Sequence, residues 1–269
     1  PSPLSPTLMA EAAGKLTDAT RVIGQELSSS WANPSDRVLA RENRPQVLFL
    51  LILAAALILR GRAWMERLAL SIYRYAGRGR GVGGFIVSLG QVVAPVLGLV
   101  VLNEAAKLTG FFGPHGTTGM ASLPLFGVIL FGARWLGAKV FPRNDGIRAM
   151  FDLDAALRRE GRLLAAALGV ILALDLALTT VLSIGPNSDT ALPMLRFPLF
   201  IAIGVVLFFL GRLMLRAATP QGTTRSADDP HTFRAQLAVT LGRALMLLAV
   251  VVPVLSATGY GRAANDIGI

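Results

Sequence analysis

Leu163–Ile184 reads LLAAALGVILALDLALTTVLSI, and within it only Asp175 is ionisable. A helix rising about 1.5 Å per residue crosses a hydrocarbon core of about 30 Å in roughly twenty residues. This stretch is long enough and apolar enough to do so. Working outward, five more runs read the same way: Pro45–Leu59, Val82–Leu102, Leu123–Val140, Leu195–Leu215 and Leu237–Leu255. The first is the shortest. Leu39 and Ala40 extend it if Arg41 and Arg44 snorkel to the interface. The expected fold class is all-α, a polytopic membrane helix bundle with about six transmembrane helices.

Composition agrees. A soluble domain has about a quarter of its residues charged, whereas here 16% are charged and 53% hydrophobic, with a mean hydropathy of +0.58. The net charge of +10 does not point to nucleic acid, because the cations sit in short connections between apolar runs. With no cysteine, disulfide and thiolate chemistry are excluded.

The connections set the expected orientation. Arg60, Arg62, Arg67, Arg74, Arg78 and Arg80 lie between the first two runs, against the single acid Glu66. Arg143, Arg148, Arg158, Arg159 and Arg162 lie between the third and fourth, and Arg216, Arg225 and Arg234 between the last two. The basic residues of the alternate connections are only Lys107, His115 and, at an edge, Arg196. The positive-inside rule puts the Arg-rich loops in the cytoplasm and both ends of the chain outside it. For a bacterial inner membrane this is a multi-pass protein with a periplasmic N-terminus.

Residues 1–36 are expected to be the end of an external helical segment, and 37–269 the bundle. Within 9–27, Leu16, Ala19, Ile23 and Leu27 recur at helical spacing. The start PSPLSP without Met, and the apolar end NDIGI, predict a piece of a longer chain.

Two loop segments read as interfacial helices. In the first, Trp64, Leu68, Ile72 and Tyr75 form a stripe flanked by Arg60, Arg62, Arg67, Arg74 and Arg78, a combination that suits an anionic leaflet. In the second, Met150, Leu153 and Leu157 form a stripe that suits either lipid or a protein surface.

Asp175 and Gln91 are the expected intramembrane polar groups. A carboxylate in a span is costly and calls for a partner. Arg134, Arg243 and Gln91 are the candidates, and both a structural contact and an ion site remain open. Gly83, Gly84, Ser88, Gly90, Ala94 and Gly98 make the second run rich in small residues, as close helix packing in lipid requires. The GVGG at residues 81–84 region lacks the Lys-Ser/Thr of a phosphate loop. Pro95, Pro193, Pro198 and Pro253 are possible kinks. His115 and His231 fall on opposite sides in this topology. No catalytic triad, metal cluster or cofactor motif is legible, so no enzyme activity, metal or cofactor is expected.

The chain resembles the N-terminal membrane region of large bacterial mechanosensitive channels of the small-conductance family. Three passages carry the likeness: NRPQVLFLLILAAALILRGRAWMERL at 43–68, the Arg-rich turn into GVGGFIVSLGQVVAPVLGL, and LAVVVPVLSATGYGRAANDI near the end. The resemblance implies a tension-sensing bundle around a pore module that follows Ile269, in a homo-oligomer, usually a heptamer. Its partners would be membrane lipids, with ions passing through a pore outside these residues. The family's glycine-alternating pore helix is absent from this sequence. A secondary transporter or an export-complex subunit is the alternative, though it would call for an inverted repeat and a polar midplane site.

Overall fold

The computed structural model describes residues 6–75, 80–142, 153–183, 188–218 and 230–257. All the regular structure among them is helical: α1 (Pro6–Ala32), α2 (Pro34–Glu42), α3 (Arg44–Tyr75), α4 (Arg80–Thr109), α5 (Pro114–Ala121), α6 (Leu123–Val140), α7 (Ala155–Leu182), α8 (Ser188–Ala218) and α9 (Pro230–Ala257). Six helical stretches are long and apolar enough to cross a membrane: Arg44–Gly61, Ser88–Thr109, Pro114–Val140, Ala155–Leu182, Leu195–Ala217 and Gln236–Ser256. The chain is a multi-pass membrane protein. Leu59, Ile52 and Leu247 are 78%, 69% and 67% exposed, an outward apolar surface that suits lipid and would be a liability in water.

The chain divides into two compact units: residues 14–135 with 176–188, and residues 1–13, 136–175 and 189–269. In the first unit α3 and α4 run antiparallel. An added Cβ on Gly61 would stand 2.9 Å from Ala94 Cβ, and one on Gly98 would stand 3.1 Å from the Ala54 carbonyl oxygen. On Gly90 it would strike Met65 Sδ at 2.7 Å. Gly90, Ala94 and Gly98 are spaced four apart, so they share the face of α4 that touches α3. Ala94 is buried, as is Pro95 within the helix. Ser88 is buried and accepts a 2.8 Å hydrogen bond from Trp135 Nε1 of α6. Gly83 and Gly84 belong to α4, but their surroundings lie outside the described residues.

Helix α4 ends where Gly110 takes a positive φ of 68°, a conformation glycine adopts without Cβ strain. Asn43, between α2 and α3, donates from Nδ2 to the Leu108 carbonyl at 3.2 Å, satisfying one of the acceptors that a helix end leaves open.

In the second unit Phe141, Leu153, Leu213, Met214 and Ala238 form a buried cluster, and Ile203, Leu207 and Ala249 another. Arg162 donates from Nη1 to the Phe141 carbonyl at 2.9 Å, closing the C-terminal end of α6. Helices α8 and α9 approach closely, backbone to backbone. A Cβ on Gly204 would stand 2.6 Å from the Ala249 carbonyl oxygen, and one on Gly211 2.7 Å from that of Gly242.

Three features differ from the sequence expectation. The first span and the Trp64 stripe are not two helices joined by a loop, because α3 continues unbroken for 32 residues, about 48 Å. No proline or helix-ending glycine motif interrupts it before Tyr75. The connection at 109–122 contains the short helix α5, started by Pro114 at its first turn. The boundary drawn at residue 36 falls inside α2, which Asn33 separates from α1.

Candidate functional site

A charged site within the spans is an interhelical ion pair that the sequence reading missed. Asp175 is paired with Arg196 of α8, not with Arg134, Arg243 or Gln91. The guanidinium donates from Nε to Oδ1 and from Nη2 to Oδ2, both at 2.6 Å. This fork-on-carboxylate geometry is the strong, directional form of the interaction. The Asp175 side chain is 15% exposed and that of Arg196 30%. The cation also lies 5.1 Å from the centre of the Phe200 ring, one helical turn further along α8 and within cation–π range.

The register explains the pairing. Asp175 lies seven residues before the end of α7, and Arg196 eight residues after the start of α8. The antiparallel helices therefore carry them at the same height. Asp175 thus lies about midway between the centre of α7 and its C-terminal end. Arg196, at the edge of the expected span Leu195–Leu215, lies within α8. Spacing along one helix carries no signal for this contact; only the hairpin register does.

A second polar site joins α1 to α5. Glu26 accepts hydrogen bonds from the backbone N–H groups of His115 at 3.3 Å and Gly116 at 3.0 Å. These donors belong to the first turn of α5, where a carboxylate is favoured. Gly113 leaves the room, since a Cβ there would collide with the Glu26 carboxylate. Beside it, the Trp31 and Phe111 rings pack at a tilt of 35°, with centres 4.7 Å apart. Replacing Glu26 with Ala should speed amide hydrogen exchange at Gly116 at least tenfold, as the loss of a charge-assisted bond of about 1.5–3 kcal/mol implies. Exchange mass spectrometry resolves this, and an unchanged rate would mean that α1 is held by the aromatic pair alone.

The expected interfacial residues lie along the outer part of α3. Arg60, Trp64, Arg67 and Leu68 are exposed, Trp64 and Leu68 on one face four residues apart. Arg62, Ile72, Arg74 and Tyr75 belong to α3, but their side chains lie outside the described residues, as does Arg78 altogether. In the second stripe Leu153 is buried in the Phe141 cluster, facing protein, while Met150 lies outside the described residues. Gln91 is half-buried on α4. Among the described residues no group of three His, Asp or Glu side chains comes together to hold a metal.

Comparison with known proteins finds no matching family model, no matching curated protein and no matching solved structure.

The site's chemistry is that of a fixed, mutually neutralised pair. Its two charges satisfy each other inside one helical hairpin, which stiffens the α7–α8 contact and sets its register.

Proposed function

We propose that this chain is the tension-sensing membrane region of a mechanosensitive ion channel, surrounding a pore module that follows it in sequence. The observation that carries the proposal is the continuity of α3. One helix bears lipid-facing side chains such as Phe49, Ile52 and Leu59 and, beyond Gly61, the exposed Trp64–Leu68 face with Arg60 and Arg67. A rigid rod anchored both in hydrocarbon and at a headgroup surface transmits displacement of the bilayer along its whole length. Tension favours the state with the larger in-plane area, so helices of this kind bias a closed–open equilibrium. The protein would act as a homo-oligomeric ring, heptameric by resemblance, in the bacterial inner membrane, without enzymatic activity.

The proposed topology places the N-terminus in the periplasm and the Arg-rich loops in the cytoplasm. The contact of Glu26 with α5 supports α1 and the 109–122 connection sharing one side of the membrane, and the charge asymmetry of the loops is what selects the side. In intact cells, a thiol reagent that cannot cross the membrane should label Thr118→Cys and spare Arg78→Cys. The reverse pattern would invert the topology. A strain lacking its own tension-gated channels should survive hypo-osmotic shock at least tenfold better when it expresses the full-length protein. Survival equal to the empty control would remove the channel function and favour the transporter or export-subunit alternative.

A further inference from the structure

We propose that the groove between α1, α2 and the α3–α4 hairpin binds an anionic glycerophospholipid, with its phosphate between Arg41 and Arg44. The groove has a volume of about 890 Å³, and its walls include Trp31, Val47, Leu48 and Phe111 as well as the two arginines. That volume is within the range of pockets that hold a substantial ligand.

Three observations select a lipid. First, the depth is right. Arg44 opens the apolar window of α3, and Thr109, also on the groove wall, closes that of α4. The groove therefore lies where hydrocarbon gives way to headgroups, whichever face of the membrane this is. Second, the lining is graded. Val47 and Leu48 sit about one turn further into the span than Arg44, and Leu48 is 59% exposed, which gives an acyl chain an apolar track. The paired Trp31 and Phe111 rings supply the aromatic surface that suits the glycerol level. Third, the lining is cationic. Among the described residues neither guanidinium has an ion-pair or hydrogen-bond partner, and no acid belongs to the lining. Two arginines three residues apart, at the end of α2 and the start of α3, can clamp one phosphate through several N–H donors. A zwitterionic lipid brings its own cation to the same place, so the site prefers phosphatidylglycerol to phosphatidylcholine.

The inference stands apart from the channel proposal and needs only that the spans sit in a bilayer. Its test is quenching of tryptophan fluorescence by brominated lipid, with the full-length protein in phosphatidylcholine vesicles. Dibrominated phosphatidylglycerol should quench the Trp31 signal, taken as wild type minus Trp31→Phe, with about fivefold stronger association than dibrominated phosphatidylcholine, as a net headgroup charge beside arginine implies. Arg41→Gln/Arg44→Gln should lose that preference, while Arg41→Lys/Arg44→Lys, which keeps the charge, should retain at least half of it. Circular dichroism identifies any variant that fails to fold, and the wild-type comparison decides without it. Equal quenching by the two lipids in the wild type would overturn the proposal. So would a preference that survives Arg41→Gln/Arg44→Gln, or a groove filled by a second copy of the chain, seen as Trp31 quenching by neither lipid.

Discussion

Asp175→Asn, with Arg196 left in place, is expected to lower the midpoint of thermal unfolding in detergent by about 6–12 °C. The reason is that the substitution does more than remove an attraction. It leaves the Arg196 guanidinium, 30% exposed beside Phe200, without the carboxylate that met it in two 2.6 Å hydrogen bonds. Removing one partner of a pair held away from water costs about 3 kcal/mol or more, and each kcal/mol moves the midpoint by about 2–4 °C in a protein of this size. The double variant Asp175→Asn/Arg196→Gln should recover most of the loss, because two neutral amides leave no orphan charge. A drop of less than about 2 °C for Asp175→Asn would class the pair with surface ion pairs that contribute little.

The second large effect is expected at the α8–α9 crossing. Gly211→Val should destabilise by about 3 kcal/mol, the upper end of overpacking costs. A Cβ at that position would meet the Gly242 carbonyl oxygen at 2.7 Å and Met246 Cγ at 3.0 Å. Methionine can move aside, but a backbone carbonyl inside a helix cannot without separating the two helices. Gly132→Ala on α6 is the control, since nothing lies within 4 Å of its added Cβ. There the substitution should be neutral or stabilising by up to about 1 kcal/mol, from helix propensity. Thermal unfolding of the two variants in the same detergent separates the contributions. Equal midpoints would mean that α8 and α9 do not rely on close backbone contact.

The spans were legible because hydrocarbon imposes a length and a composition that a one-dimensional reading detects. Leu123–Val140 is the clearest case, its expected limits being those of α6. The small-residue face Gly90–Ala94–Gly98 was legible too, since four-residue spacing on a helix defines a face. What escaped was everything that depends on register between helices. Arg196 sits at the edge of its expected span with no partner legible until the α7–α8 hairpin sets it beside Asp175. Gly204 and Gly211, seven residues apart on α8, carried a usable signal in their spacing, but only Gly242 and Ala249 on α9 give it meaning. Glu26 and Gly116 are separated by 90 positions, beyond any local pattern. The continuity of α3 through Arg60–Tyr75 was obscured by charge. Arginines flanking Trp64 suggested a separate surface helix, whereas a helix with no internal breaker continues.

The most direct test of the tension-sensing role is patch-clamp recording of the full-length protein in liposomes, alongside a version lacking residues 37–257. The intact protein should pass current when suction stretches the patch. The shortened one should open at a different tension with the same single-channel conductance, as expected if these helices bias the gate without lining the pore. No tension-gated current from the intact protein, or a changed unit conductance in the shortened one, would contradict this assignment.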